Sequence, residues 1–229
     1  LASEEEQNFI KEVEFRMEQT YAGEKITIVK RNEKEYYLAG KYNPETMAER
    51  QIEICKGADF ETLILIIGFS DGRVLRKLVE NIDENTVVLI YEPCMDLFIH
   101  TLKNYNLTDI FLKKKMGLLI DGINGTEIRE TLERLITIER LAKIKTIIVG
   151  NYEELFEKEV KHFIKIEKEI ISALRVRWNT ILNFRDFSVF NIIRNMKYLY
   201  EHYSLNAFLN VLKEVEKLVR NDIKMLSTQ

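Results

Sequence analysis

The stretch Thr62-Leu63-Ile64-Leu65-Ile66-Ile67-Gly68-Phe69-Ser70-Asp71-Gly72-Arg73-Val74-Leu75 decides how this chain is read. Five consecutive apolar residues, Leu63 to Ile67, predict a strand buried on both faces. That is the signature of a parallel sheet covered by helices. The two glycines then turn the chain sharply, and a helix is expected from about Arg73 to Asn81. The same unit recurs downstream. Val87 to Tyr91 is a second buried strand ending in Glu92-Pro93, followed by a helix over Met95–Asn104. Gly117 to Ile120 is a third strand ending in Asp121-Gly122, and Thr126 to Leu141 reads as the next helix. Thr146 to Val149 is a fourth strand, closed by Gly150. Alternation of strand and helix with short connections predicts a doubly wound, Rossmann-like α/β sheet with right-handed crossovers.

Glycine and proline divide the chain of 229 residues. All nine Gly and both Pro lie at or before Gly150, and the last 79 residues have neither. Helices avoid both residues and turns need them. The back is therefore expected to be helical throughout. Helices are read over Glu153–Asn179, over Phe187–Tyr203 and over Leu205–Met225. The last has Phe208, Leu212, Val215, Leu218 and Val219 as its apolar stripe. Ahead of the sheet, Phe9, Ile10, Val13 and Met17 at helical spacing predict a helix over Glu4–Thr20. Lys25–Val29 and Glu35–Ala39 form a hairpin across Lys30–Lys34. Asn43 caps a helix that starts at Pro44 and stops before Gly57. The expected organisation is a helix, β-hairpin and helix over 1–57, a Rossmann-like domain over 58–150, and a helical C-terminal segment over 151–229.

Composition narrows the function classes. At 46% apolar and 31% charged residues, the chain can fill a core and solvate its outside. Net charge is −3, with no strongly basic domain, so nucleic acid is not an expected partner. Cys55 and Cys94 stand far apart with no metal-type spacing, which suits a reduced, cytoplasmic protein. His100, His162 and His202 are scattered, and no metal site is expected. No apolar run approaches the length of a membrane span.

Ligands of an open parallel sheet bind beyond the carboxyl ends of its strands. The candidate cofactor-binding residues are Gly68, Phe69, Ser70, Asp71 and Gly72, then Glu92 and Asp121. The loop would offer backbone N–H groups at a helix N-terminus. Glu92 lies twenty residues beyond Gly72, where an acid takes ribose hydroxyls. Two features depart from a nucleotide fingerprint: the loop is G-x-x-x-G, and Asp71 would repel a phosphate. A tight strand-to-helix turn with no ligand is the first reading of Gly68 and Gly72, and a nucleotide or nucleotide-sugar pocket the second. Gly150-Asn151-Tyr152 marks the fourth strand end. No catalytic residue stands out, since Cys94 has no suggestive His or Asn partner. A basic and aromatic interval follows, with Arg175, Arg177, Trp178, Arg185, Arg194, Lys197, Tyr198, Tyr200, His202 and Tyr203. It reads as amphipathic helix or as a partner surface. Lys113-Lys114-Lys115 reads as a solvated turn.

Tyr42-Asn43-Pro44 with Glu49-Arg50, then Ile66-Ile67-Gly68-Phe69 with Gly72 and Ile90-Tyr91-Glu92-Pro93, resemble the N-terminal region of the motility-associated factor (Maf) flagellin glycosyltransferases. Arg177-Trp178-Asn179 with Asn191 and Asn195 is similar to the stretch that leads into that family's central domain. The resemblance covers nearly the whole chain through short motifs. It implies a Rossmann-like module of a protein that moves a nonulosonic acid from its CMP-activated form to Ser or Thr of flagellin. The family's transferase core carries a G-P-S-L turn, which this chain lacks. Gly40-Lys41 also stands where the family tends to have His-Ser, and Asp71 where it has Gly. The resemblance therefore implies an accessory module, with flagellin or a following transferase domain as partner. The alternative is an S-adenosylmethionine-dependent methyltransferase or another nucleotide-binding enzyme. In that reading the glycine loop holds the amino-acid part, Glu92 the ribose and Asp121 the adenine amine. A homodimer through the C-terminal helices is a third expectation.

Overall fold

The computed structural model describes residues 13–21, 23–111, 116–202, 209–210 and 212–217. The chain divides into two compact units, Leu1–Arg175 and Val176–Gln229. The first begins with an antiparallel sheet of β1 (Val13–Gln19), β2 (Lys25–Arg31) and β3 (Lys34–Tyr37), in that order. β1 corrects the expected N-terminal helix: its pairing runs from Val13 against Arg31 to Gln19 against Lys25. Val13, Phe15 and Met17 alternate with Glu14, Arg16 and Glu18, which is strand periodicity. Val13 and Met17 also fit helical spacing, and pairing with β2 decided between the two. The rest of that expected helix, before Val13, lies outside the described residues. The β2–β3 turn places Asn32 and Glu33 at φ 49° and 63°, the left-handed pair of a hairpin turn.

Helix α1 (Pro44–Ile52) starts as expected, with the Thr46 N–H donating to the Asn43 side chain at 3.0 Å. The second sheet is wholly parallel. Its strands are β4 (Leu63–Ile67), β5 (Val87–Glu92), β6 (Met116–Ile120) and β7 (Ile144–Ile148), ordered β6-β5-β4-β7. Between them run α2 (Arg73–Asn81), α3 (Met95–Asn104), the one-turn α4 (Thr108–Phe111) and α5 (Ile128–Leu135). All five residues of β4 are fully buried, as a strand covered on both faces requires. The order reverses between β4 and β7, and that is the switch point where this fold offers a ligand crevice. The chain is thus an α/β protein with a Rossmann-like parallel sheet and a helical C-terminus.

Three helical expectations change. The helix read over Thr126–Leu141 ends at Leu135, and Ile136 is extended. After β7 comes the one-turn α6 (Tyr152–Leu155), then α7, unbroken over Glu157–His202. The two helices read over Glu153–Asn179 and Phe187–Tyr203 therefore merge, because nothing between them lacks a backbone donor or bends the chain. Residues 209–210 and 212–217 are helical, as expected, while the remainder of 205–225 lies outside the described residues, Phe208, Leu218 and Val219 included. So do Lys113-Lys114-Lys115 and Tyr203. Among the described residues, no helix is long and apolar enough to cross a membrane.

Candidate functional site

All seven candidate residues gather at the carboxyl edge of the parallel sheet, where the fold requires them. Gly68 holds φ +100° and Gly72 φ +80°, conformations that suit only glycine at a strand-to-helix turn this tight. Five N–H groups of the loop and the helix start are bonded internally. The Gly68 N–H donates to the Tyr91 carbonyl at 2.8 Å, and the Gly72 N–H to the Phe69 carbonyl at 3.1 Å. The Phe69 N–H reaches Glu92 Oε2 at 2.7 Å. The Ser70 N–H reaches the Tyr152 hydroxyl oxygen at 2.9 Å. The Arg73 N–H, first in α2, donates to Asp71 Oδ1 at 3.1 Å. Asp71, just before the Gly72 cap position, thus satisfies the first N–H of the helix.

Glu92 is the centre of this arrangement and is fully buried. Its Oε2 accepts from Phe69 and from the Tyr152 hydroxyl, the latter at 2.8 Å, and its Oε1 accepts the Cys94 N–H at 3.0 Å. Burial pushes its carboxyl up to about 7, the three donors hold it back, and the nearby Asp121 charge adds to the rise. Tyr152 is itself fully buried. Burial and the Glu92 charge raise its phenol well above the ordinary tyrosine value. Its ring lies flat on Gly68, so a Cβ there would sit 2.7 Å from the ring carbons.

The crevice at the switch point is therefore filled by Tyr152, and the fold covers it from outside. Ser70 Oγ donates to the Leu38 carbonyl at 3.3 Å, and a Cβ on Gly150 would meet that same carbonyl at 2.5 Å. Thr101 Oγ1 donates to the Ser70 carbonyl at 2.7 Å. Arg31 donates to the Leu155 carbonyl. Arg73 ties the covering segments down: it pairs with Asp71, Glu24 and Glu45 and donates to the Lys25 carbonyl. Burial raises the Asp71 carboxyl, and the Arg73 charge opposes that rise. Asp121 lies beside the lock and accepts the Tyr91 hydroxyl at 2.8 Å. A cavity beside the loop, lined by Pro44, Met47, Gln51, Ser70, Asp71 and Arg73, has room for about one water molecule.

A nucleotide or S-adenosylmethionine does not fit these residues. Ribose hydroxyls need an accessible carboxylate, whereas both Glu92 oxygens are sealed and bonded. A pyrophosphate or carboxylate needs free loop N–H groups, whereas those of Gly68, Phe69, Ser70, Gly72 and Arg73 are donated internally. Burial pushes Cys94 up to about 12, with the Glu92 charge adding to the shift, and burial pushes Cys55 up to about 11. His100 packs against Phe15, and burial lowers its pKa. Among the described residues, no group of His, Cys, Asp or Glu could hold a metal ion.

Sequence reasoning named the strand ends correctly but missed Tyr152 as the partner of Glu92. The available signal was its position: it follows Gly150-Asn151 at the strand end nearest the glycine loop. The motif residues Asn43, Pro44, Gly68, Gly72 and Glu92 all serve closure and turns. No family model matches the chain, and no curated protein matches it. Among solved structures, glutamyl-tRNA reductase from Methanopyrus kandleri is similar at 12% identity. The match covers 77% of this chain and 56% of that one, at a TM-score of 0.25. The chain thus spans little more than half of that protein's length, and a likeness at that level bears on neither the site nor its chemistry.

Proposed function

We propose that this chain is an accessory α/β module of a flagellin glycosylation protein of the Maf type, acting by holding a partner rather than by chemistry of its own. The observation that carries this reading is the sealed crevice: Glu92, Tyr152 and the Gly68–Gly72 loop satisfy one another where a catalytic relative would hold a nucleotide. The Maf assignment itself rests on the Tyr42-Asn43-Pro44 and Ile90-Tyr91-Glu92-Pro93 motifs. Transfer of the nonulosonic acid then belongs to a transferase domain with the G-P-S-L turn, and flagellin is the acceptor.

Calorimetry with CMP, NAD, S-adenosylmethionine and S-adenosylhomocysteine at millimolar concentration tests the first part. No saturable heat is expected. Saturable binding of S-adenosylmethionine would instead favour the methyltransferase reading. The second part is tested in the source cells by deleting the coding segment for residues 13–175 and weighing flagellin by mass spectrometry. Loss of the sugar mass is expected, and flagellin of unchanged mass would overturn the assignment.

A further inference from the structure

The Tyr152 side chain meets, inside its own protein, the contacts that a bound ligand makes. Its hydroxyl uses both of its hydrogen-bonding roles. The oxygen accepts the Ser70 N–H at 2.9 Å, and the O–H donates to Glu92 Oε2 at 2.8 Å. The ring lies against the bare backbone of Gly68 and meets the Phe156 ring at a centroid distance of 5.3 Å. None of the side chain reaches solvent. It comes from the one-turn α6, 82 positions after Ser70 and 60 after Glu92. It fills the crevice where open parallel sheets take their ligands.

The groups that grip this hydroxyl are held in place without it. Glu92 Oε2 also accepts the Phe69 N–H, and Glu92 Oε1 accepts the Cys94 N–H. Ser70 is tied by its other polar groups: its carbonyl accepts from Thr101 Oγ1, and its Oγ donates to the Leu38 carbonyl. Its φ is +50°, in the left-handed region that a serine seldom adopts. In that conformation its N–H faces the crevice beside a buried carboxylate. A donor and an acceptor fixed in this way remain when Tyr152 is shortened. Both are then left unpaired in a space closed to solvent.

We infer that this place is a recognition site for a hydroxyl carried on a flat ring, and that Tyr152 is its resident, intramolecular ligand. A void the size of one aromatic side chain in a protein interior accepts a ring compound of matching size. Here the walls also select. A ring-borne hydroxyl satisfies the Ser70 N–H and Glu92 together, whereas a ring without one leaves both unpaired. The ligand class is therefore a phenol and not a plain arene. This site depends on the closed crevice and not on which partner protein the module holds.

Thermal unfolding of the Tyr152→Ala chain with phenol and with benzene tests the inference. Alanine keeps the Cβ, and phenol restores what the substitution removes. Phenol is expected to raise the unfolding midpoint of this variant saturably, by roughly 3–6 °C at ten times its Kd. Benzene is expected to bind at least about 30-fold more weakly. The native chain and Tyr152→Phe, whose rings still fill the crevice, are expected to respond to neither compound. Where Tyr152→Ala does not fold alone, phenol present during dilution from urea is expected to restore the far-ultraviolet spectrum of the native chain, and benzene is not. No saturable effect of phenol on Tyr152→Ala by either readout overturns the inference. So does equal binding of benzene, which would mark an apolar hole only, or an equal phenol response of the native chain, which would place the binding elsewhere. None of these readouts involves flagellin or a nucleotide, so they succeed or fail separately from the proposed function.

Discussion

The two halves of α7 are one continuous helix with opposite fates. In the first, Val160, Phe163, Ile166 and Ile170 are 0–6% exposed and belong to the α/β core. Phe163 stacks on Tyr91 at 5.0 Å, next to the Glu92 lock. In the second, Phe184, Phe187, Phe190 and Ile193 are 62–67% exposed. Apolar content is high in both. The difference is therefore not in the tendency to form helix but in whether the rest of the unit supplies a surface to pack on. The first half shows an apolar stripe enclosed by its own unit, and the second shows one that stays exposed.

The largest effect should come from the buried half. Phe163→Ala is expected to cost about 3–5 kcal/mol in urea unfolding, because it empties a fully buried aromatic site. A cost below about 1 kcal/mol would mean that the first half is no more core than the second. Next is the pH dependence of the unit that half encloses. Folding raises the Glu92 carboxyl from its ordinary 4.5 to about 7. The folded chain therefore holds this proton more tightly than the unfolded one. The associated stability is present below pH 4.5 and is lost as pH rises through 7, by about 3 kcal/mol in all. Glu92→Gln should flatten the slope across that window, and a slope that survives in this variant would locate its origin elsewhere.

Tyr152→Phe should cost less, about 1–3 kcal/mol, because the ring stays on Gly68 while the Ser70 N–H loses its acceptor. The same variant removes one donor from Glu92, so its unfolding profile should steepen with pH rather than flatten. The smallest effect belongs to the exposed half. Phe187→Ala should change the unfolding free energy of the α/β unit by no more than about 0.5 kcal/mol. A larger loss there would break the contrast between the halves.

Much of the architecture was legible in residue order. The run Leu63–Ile67, short and closed by Gly68, reads as a strand covered on both faces, and Asn43-Pro44 is a helix start written in two residues. Met95–Asn104 was read to its ends. β1 was not, because Val13 and Met17 satisfy both periodicities and only its pairing partner removes the ambiguity. The break expected between Asn179 and Phe187 is absent, because polar residues such as Asn183, Arg185 and Asp186 do not stop a helix that lacks Gly and Pro. The candidate site was legible as a place and not as a state. Gly68, Gly72, Glu92 and Asp121 were found because strand ends are local features. The Tyr152 plug was not, because a tyrosine after a strand end carries no mark of where its ring will lie.

By itself, the order of residues determined that this chain builds a parallel sheet with helices on its faces and continues in helix through the described residues beyond Tyr152. Those outcomes depend on runs and spacings a few residues long, where apolar burial and backbone geometry act directly. Only the tertiary structure decided that the crevice is closed and that one half of α7 is enclosed while the other is not. Closure joins Phe69 to Glu92 across 23 positions and Glu92 to Tyr152 across 60. A hydrogen bond over such a separation exists only once the sheet has formed, and whether a buried carboxylate meets a ligand or a tyrosine is settled by whichever group that sheet brings there first.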